Sequence, residues 1–275
     1  MISALQKQEN GTITLTITIP SSDILKTQTE VLSELAKEAS FPGFRKGKAP
    51  VKMVEEKLGE EKIREEVLKK LLPQSYIKAV EEHKLRPIMN PKIHITKVEE
   101  GKDWQFTAQT CEAPTIDLTG YKDAVQKITA KSKIIMPGKT PEEPKFEDIM
   151  KAILETIKAT IPQILVETEA DRLLSHTLDD VKKIGLTLDQ YLASTNRTPE
   201  SLRSEYEIKA RNDITLEFAL QKIAEEEKIT VEEKELDEAI LAAKNPAEKE
   251  NLEKNRYMLA QILRQQKTLD FLKHL

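Results

Sequence analysis

The chain has 275 residues, enough for two ordinary domains with separate cores, and a net charge of -4. Charged residues make up 33% of it and aromatic residues only 4%, which argues against an enzyme built around an aromatic-lined pocket and for a soluble, helix-rich chain with broad polar faces. Cys111 is the single cysteine, so an internal disulfide is excluded and a reducing compartment is weakly favoured.

Met1 to Asn10 lacks a basic segment followed by an apolar run, and no apolar stretch approaches a membrane span. The expectation is a cytoplasmic chain with no secretory signal and no membrane partner. Charge is uneven along it. Residues 1–113 hold 18 Lys/Arg against 17 Asp/Glu, a net of +1; residues 114–275 hold 25 against 30, a net of -5. The acidic half is a poor binder of nucleic acid in general, so any RNA contact should come from the first half.

Gly11 to Pro20 reads GTITLTITIP. Ile13, Leu15, Ile17 and Ile19 alternate with threonines, the period-two pattern of a half-buried strand. Pro20 ends it, and Ser21 or Ser22 offers an N-cap for a helix over 23–39 with Ile24, Val31, Leu32, Leu35 and Ala39 on one side.

Next comes Phe41-Pro42-Gly43-Phe44-Arg45-Lys46-Gly47-Lys48-Ala49-Pro50. Two prolines and two glycines exclude ordinary helix or central strand. From Ala39 to Val54 there are four Lys/Arg and no Asp/Glu, a local reversal of sign in an acidic chain. A solvated turn with its phenylalanines tucked under it is the bland alternative. Gly43 and Gly47 bracket Phe44-Arg45-Lys46 and let the backbone turn those side chains outward. Arg and Lys suit phosphate, and Arg and Phe stack on bases or fill an apolar pocket.

Gly43-Phe44-Arg45-x-Gly47-x-x-Pro50 resembles the signature of trigger factor, the bacterial ribosome-associated chaperone. The resemblance implies a loop that docks at the polypeptide exit tunnel, with Phe44, Arg45 and Lys46 as the contacts and Gly43, Gly47 and Pro50 shaping the tip.

Pro50 is well placed to open a short helix carrying Val51, Val54 and Leu58, which Gly59 breaks. A longer helix is predicted over 60–83, with Ile63, Val67, Leu71, Ile77 and Val80 inward and Pro73 kinking or dividing it. Arg86 to Pro91 is a turn. Ile93–Val98 and Trp104–Cys111 read as a hairpin closed by the turn 99–103. Strand, helices, then two strands close naturally as an antiparallel sheet with helices on one face, an α+β amino-terminal domain over 1–113. That order also resembles the ribosome-binding domain of the trigger factors.

Residues 114–144 are punctuated by Pro114, Pro137, Pro141 and Pro144 and show no clean period, so they read as a linker, extended or packed along the second domain. Thr115 to Tyr121 resembles the family's exit segment from its first domain.

From Phe146 on, every segment reads as helical, an all-α carboxy-terminal domain over 145–275. Phe146, Ile149, Ile153 and Ile157 share one face. Pro162 opens a helix to Ile184, with Gly185 as its C-cap. Thr187-x-x-Gln190 and Thr198-Pro199 open two more, the second long and ending near Lys228. Thr230-x-x-Glu233 caps a further helix through Ala243, and Pro246 opens a last one to the terminus. Residues 161–169, 185–192 and 223–231 resemble the family's chaperone domain.

Most trigger factors carry an inserted FKBP-type prolyl isomerase domain. Here Pro144 leads directly into the helix at Phe146, leaving no room for one, so isomerase activity is expected to be absent and the chain is expected not to be an enzyme. Apolar Met150, Leu154, Leu192, Phe218, Leu241, Tyr257, Met258 and Phe271 divide between helical core and client contact, and sequence alone does not sort them. His83, His94, His176 and His274 lack metal-ligand spacing, Cys111 has no nucleophile's partner, and no phosphate-binding loop exists. No catalytic residue, metal or cofactor is expected.

The function so implied is an ATP-independent chaperone of nascent and unfolded polypeptides. Its partners would be the ribosome, through exit-tunnel protein and rRNA, and at most a weak homodimer. Two alternatives stand beside it: a prolyl isomerase with an unrecognised site, and a ribosome-associated assembly factor that does not bind unfolded chains.

Overall fold

The computed structural model describes residues 1–38, 51–132, 144–243 and 245–275. They form two units, 1–113 with Pro162–Ile164, and 114–161 with 165–275.

The first unit contains β1 (Ile2–Lys7), β2 (Thr12–Ile19), α1 (Ser21–Glu38), α2 (Val51–Leu58), α3 (Glu60–Glu82), β3 (Lys92–Lys97) and β4 (Trp104–Cys111). The strands make one antiparallel sheet in the order β1-β2-β4-β3. The alternation in β2 sets its two faces. Leu15, Ile17 and Ile19 pair across β4 with Ala108, Phe106 and Trp104, and all six are buried. Ile24, Val31 and Leu32 of α1 and Ile63, Val67, Leu71 and Ala79 of α3 close over them. Threonines and glutamines hold the other face, which is why the sheet takes helices on one side only.

Three local readings change here. α1 begins at Ser21, because the Asp103 carboxylate accepts its backbone N–H at 2.8 Å and so caps the helix from across the sheet. Pro73 does not divide α3, which runs unbroken from Glu60 to Glu82. Pro73 and Lys69, whose carbonyl it leaves without a helical donor, are both exposed residues. β1 is an element that the sequence pattern did not announce. All but one of its residues are exposed. Gly11, in the turn between β1 and β2, has φ +79°, and a Cβ there would lie 3.1 Å from the Pro162 ring.

The second unit contains β5 (Thr115–Asp117), α4 (Tyr121–Ser132), α5 (Phe146–Thr156), β6 (Lys158–Thr160), α6 (Gln163–Lys183, from Leu165 on), α7 (Leu188–Thr195), α8 (Pro199–Glu226), α9 (Glu233–Leu241), α10 (Pro246–Lys254) and α11 (Arg256–His274). The stretch 114–144 that reads as a linker thus supplies a strand and a helix within its described residues. Its Ile116, Leu118, Tyr121 and Val125 enter one core with Ile149, Ile153, Val166, Ile214, Ile223 and Leu272. The helical half is also not purely helical, since β5 pairs antiparallel with β6. The Lys222 ammonium donates to the Ile116 carbonyl at 2.6 Å, fastening β5 to α8. Tyr121 donates its hydroxyl to Glu227 at 2.9 Å, and Lys122 pairs with the same carboxylate at 2.6 Å.

Helix ends follow sequence where the cap is local. Thr187–Gln190 and Thr198–Ser201 form complete capping boxes, and Gly185 takes φ +78° just past α6. Two ends differ. α9 is capped by Glu232 and Glu235, not Thr230 and Glu233. Arg264 and Lys267 of α11 donate to the Ile229 and Thr230 carbonyls at 2.9 and 2.8 Å and hold that segment. The last predicted helix is two, α10 and α11, parted at Asn255, whose backbone leaves helical geometry (φ −113°, ψ 35°) while its side-chain amide turns onto Asn251.

Candidate functional site

The six residues singled out in the loop, Gly43, Phe44, Arg45, Lys46, Gly47 and Pro50, lie outside the described residues. What is described is the platform on either side. α1, α2 and α3 pack against one another, and Lys70 of α3 reaches Glu34 at 2.9 Å and Glu30 at 3.3 Å on α1. α2 has no acid in its first turn and α1 ends its described span on a basic turn at Lys37. Beside this platform is a small cleft of about 70 Å³ between α2, α3 and the β3–β4 turn. Trp104 and Ile63 line it with Glu55, Glu60, Glu100 and Arg64. The Trp104 indole N–H is used internally, donating to the Glu99 carbonyl at 3.1 Å.

The helical unit sorts the apolar residues that sequence left mixed. Leu192 is buried, and Met150, Phe218 and Phe271 pack partly buried against the core. Leu241, Tyr257 and Met258 are exposed, at 71%, 79% and 62%. Ile262 follows Met258 by one helical turn on α11 and is also exposed. Met258 and Ile262 edge a groove of about 140 Å³ between α8 and α11, whose other walls include Leu220, Ala224, Gln261 and Arg264. α11 is pinned to α9 by Lys267–Glu235 at 2.8 Å and Arg256–Asp237 at 2.9 Å. Lys267, by hydrogen bond, holds the Glu235 carboxyl below its ordinary range.

A second apolar group, Ile184, Leu186 and Leu188, sits exposed around the turn from α6 to α7, and Ile208 is exposed on α8. None of these, nor Ile262, was among the candidate client contacts that the sequence offered. Ile184 and Leu186 flank the Gly185 cap, so an apolar pair on either side of a helix-ending glycine was the signal available.

Other chemistry finds little to work with. Burial pushes the Cys111 thiol up to about 11, the reverse of what a nucleophile needs. His176 contacts Asp180, His274 contacts the Asp270 carbonyl and His83 contacts Ser3. Among the described residues no group of three His, Cys, Asp or Glu is placed to hold a metal, and no helix is long and apolar enough to cross a membrane. The arrangement suits many weak apolar contacts within charged surroundings.

Comparison with known proteins agrees over both halves. The family model described as bacterial trigger factor protein matches residues 1–135, and that described as its C-terminus matches 139–274. A trigger factor from Staphylococcus epidermidis is 33% identical over 122 residues, which are 44% of this chain and 28% of that protein. One from Staphylococcus aureus is 32% identical with the same coverage, so the matched stretch spans well under half of these relatives. A solved structure from work on promiscuous substrate recognition in folding and assembly by the trigger factor chaperone superposes with a TM-score of 0.65. It covers 100% of this chain and 99% of its own at 13% identity, a likeness of fold.

Proposed function

We infer that this chain, which belongs to the trigger factor family, is an ATP-independent chaperone that docks at the ribosomal exit tunnel and holds nascent or unfolded polypeptides. The observation that carries this reading is the paired family match, which runs through the loop in one half and through the helical unit in the other. The loop's Phe44, Arg45 and Lys46 serve as the foothold. Gly43, Gly47 and Pro50 set its shape, and the flanking helices, packed side by side, give it a firm base. The helical unit shelters clients through exposed apolar residues spread over several helices.

The chain works without prolyl isomerase activity. Only residues 136–138 fall between the two matched ranges, which supports the reading that no further domain is inserted there. The partners are the ribosome and unfolded chains in the cytoplasm, without a cofactor.

Two measurements test this. Phe44→Ala, Arg45→Ala and Lys46→Ala together should abolish co-sedimentation with ribosomes while the circular dichroism spectrum stays that of the parent; a variant that pellets like the parent removes the docking claim. Stoichiometric protein should suppress aggregation of a chemically denatured client. Failure there favours the assembly-factor alternative, and acceleration of proline-limited refolding by catalytic amounts would restore the isomerase.

A further inference from the structure

The two edges of the four-stranded sheet are built differently. β3 follows Pro91 and carries Lys92, His94 and Lys97, and its register slips between Ile95 and Lys97. Charge on the strand, a proline at its start and a bulge are the devices by which sheets refuse a further strand. β1 has neither the proline nor the bulge, and its charge is confined to one end. It pairs with β2 in unbroken register from Ile2 to Lys7, contains no proline, and bears a single charge at its last residue. On the helix face Ser3 is tied to Glu82 and His83 at the end of α3, and the other side chains of the strand are exposed. Ile2 lies on the open face opposite Thr18 and is 74% exposed; Leu5 lies on the helix face opposite Leu15 and is 36% exposed.

We propose that the outer edge of β1 is a docking site for an extended, uncharged, proline-free stretch of unfolded polypeptide, which adds to the sheet as a fifth strand. The inference rests on the chaperone reading and gives it a second mode of client capture. Backbone pairing along an edge recognises extended chain whatever its side chains, and Ile2 and Leu5 give alternate side chains of the incoming strand an apolar neighbour on each face. Strand length favours a client over a second copy of this protein. Six residues span about 20 Å, and two such edges paired across a dyad bury far less than the roughly 1,200 Å² of a stable interface. A transient hold on an unfolded chain needs no more than that.

The test uses the full chain and a fluorescein-labelled nine-residue peptide of alternating valine and threonine, closed by lysine at each end. Its twin is N-methylated at every valine and every threonine, which keeps the side chains and blocks the donors on both edges of the incoming strand. Fluorescence anisotropy should show the twin binding weaker by roughly tenfold or more, and amide exchange across residues 2–7 should slow when the unmethylated peptide is added. Ile2→Lys with Ala4→Lys should weaken the parent peptide several-fold at an unchanged circular dichroism spectrum. Equal binding of both peptides, or unaltered exchange over residues 2–7 at saturating peptide, overturns the proposal in favour of side-chain adhesion elsewhere. Protection of residues 2–7 that grows with protein concentration in the absence of peptide overturns it in favour of self-pairing. No binding of either peptide also overturns it, while suppression of client aggregation, measured separately, still decides the chaperone reading.

Discussion

The two units bury apolar residues by different means. In the first, one pattern does most of the work: β2 alternates, its partner β4 is read in register, and two helices cover the shared face. In the second, the core is assembled from separate pieces of α4, α5, α6, α8 and α11 with a short two-stranded ladder. Both leave large apolar residues exposed, but they fall differently. In the sheet unit Leu5, Ile93 and Ile95 lie toward the edges of the helix-covered face, where the cover runs out, and Leu25 on α1 and Ile77 on α3, the latter expected inward, also face water. In the helical unit they sit on helix faces and at a turn, as Tyr257, Met258, Ile262 and Ile184 do.

Core truncations break this contrast most directly. Phe106→Ala removes a side chain that is 1% exposed and should cost about 3–5 kcal/mol. Trp104, the chain's single tryptophan, pairs beside it, so fluorescence should report early unfolding of the sheet unit. If the emission midpoint in urea does not move, Phe106 is not the centre of that core. Ile153→Ala in the helical unit should cost about 2–5 kcal/mol, read by loss of helical ellipticity with the tryptophan signal little changed. Loss of both signals in step would mean that the two cores do not behave separately.

Smaller effects sharpen the comparison at its joints. Tyr121→Phe deletes the hydroxyl that donates to Glu227 and should cost about 1 kcal/mol, as a single hydrogen bond does. Lys122 and Tyr121, in that order, hold the Glu227 carboxyl below its ordinary range. Its folded-state pKa is therefore depressed. The stabilisation is complete above the unfolded value of about 4.3 and is lost as pH falls through the folded value. The difference in urea midpoint between parent and Glu227→Gln should thus be present at neutral pH and shrink on acidification below about 4.3. A difference that persists unchanged to pH 3 would refute the role of this carboxylate.

The smallest expected effect on stability is the most informative about function. Tyr257→Ser, Met258→Ser and Ile262→Ser change exposed residues and should each shift stability by no more than about 0.5 kcal/mol. Together they should lower suppression of client aggregation several-fold. If suppression is unimpaired, clients are held elsewhere.

Local sequence determined a good deal of this protein. The threonine–aliphatic alternation of β2, the Gly59 break, the Gly185 cap and the two capping boxes at Thr187 and Thr198 are all satisfied by neighbours a few residues away, so the chain itself declares them. The loop motif Gly43 to Pro50 likewise speaks from sequence, outside the described residues. Tertiary structure decided what depends on a distant partner. β1 is a strand because β2 offers it an edge. α1 starts at Ser21 because Asp103 reaches its amide, and residues 115–132 are structured because Ile116, Tyr121 and Val125 find Ile149, Ile153 and Ile223. Which apolar helix residues face water was also settled at this level, since periodicity gives a helix one apolar stripe but does not say how much of it a neighbour will cover.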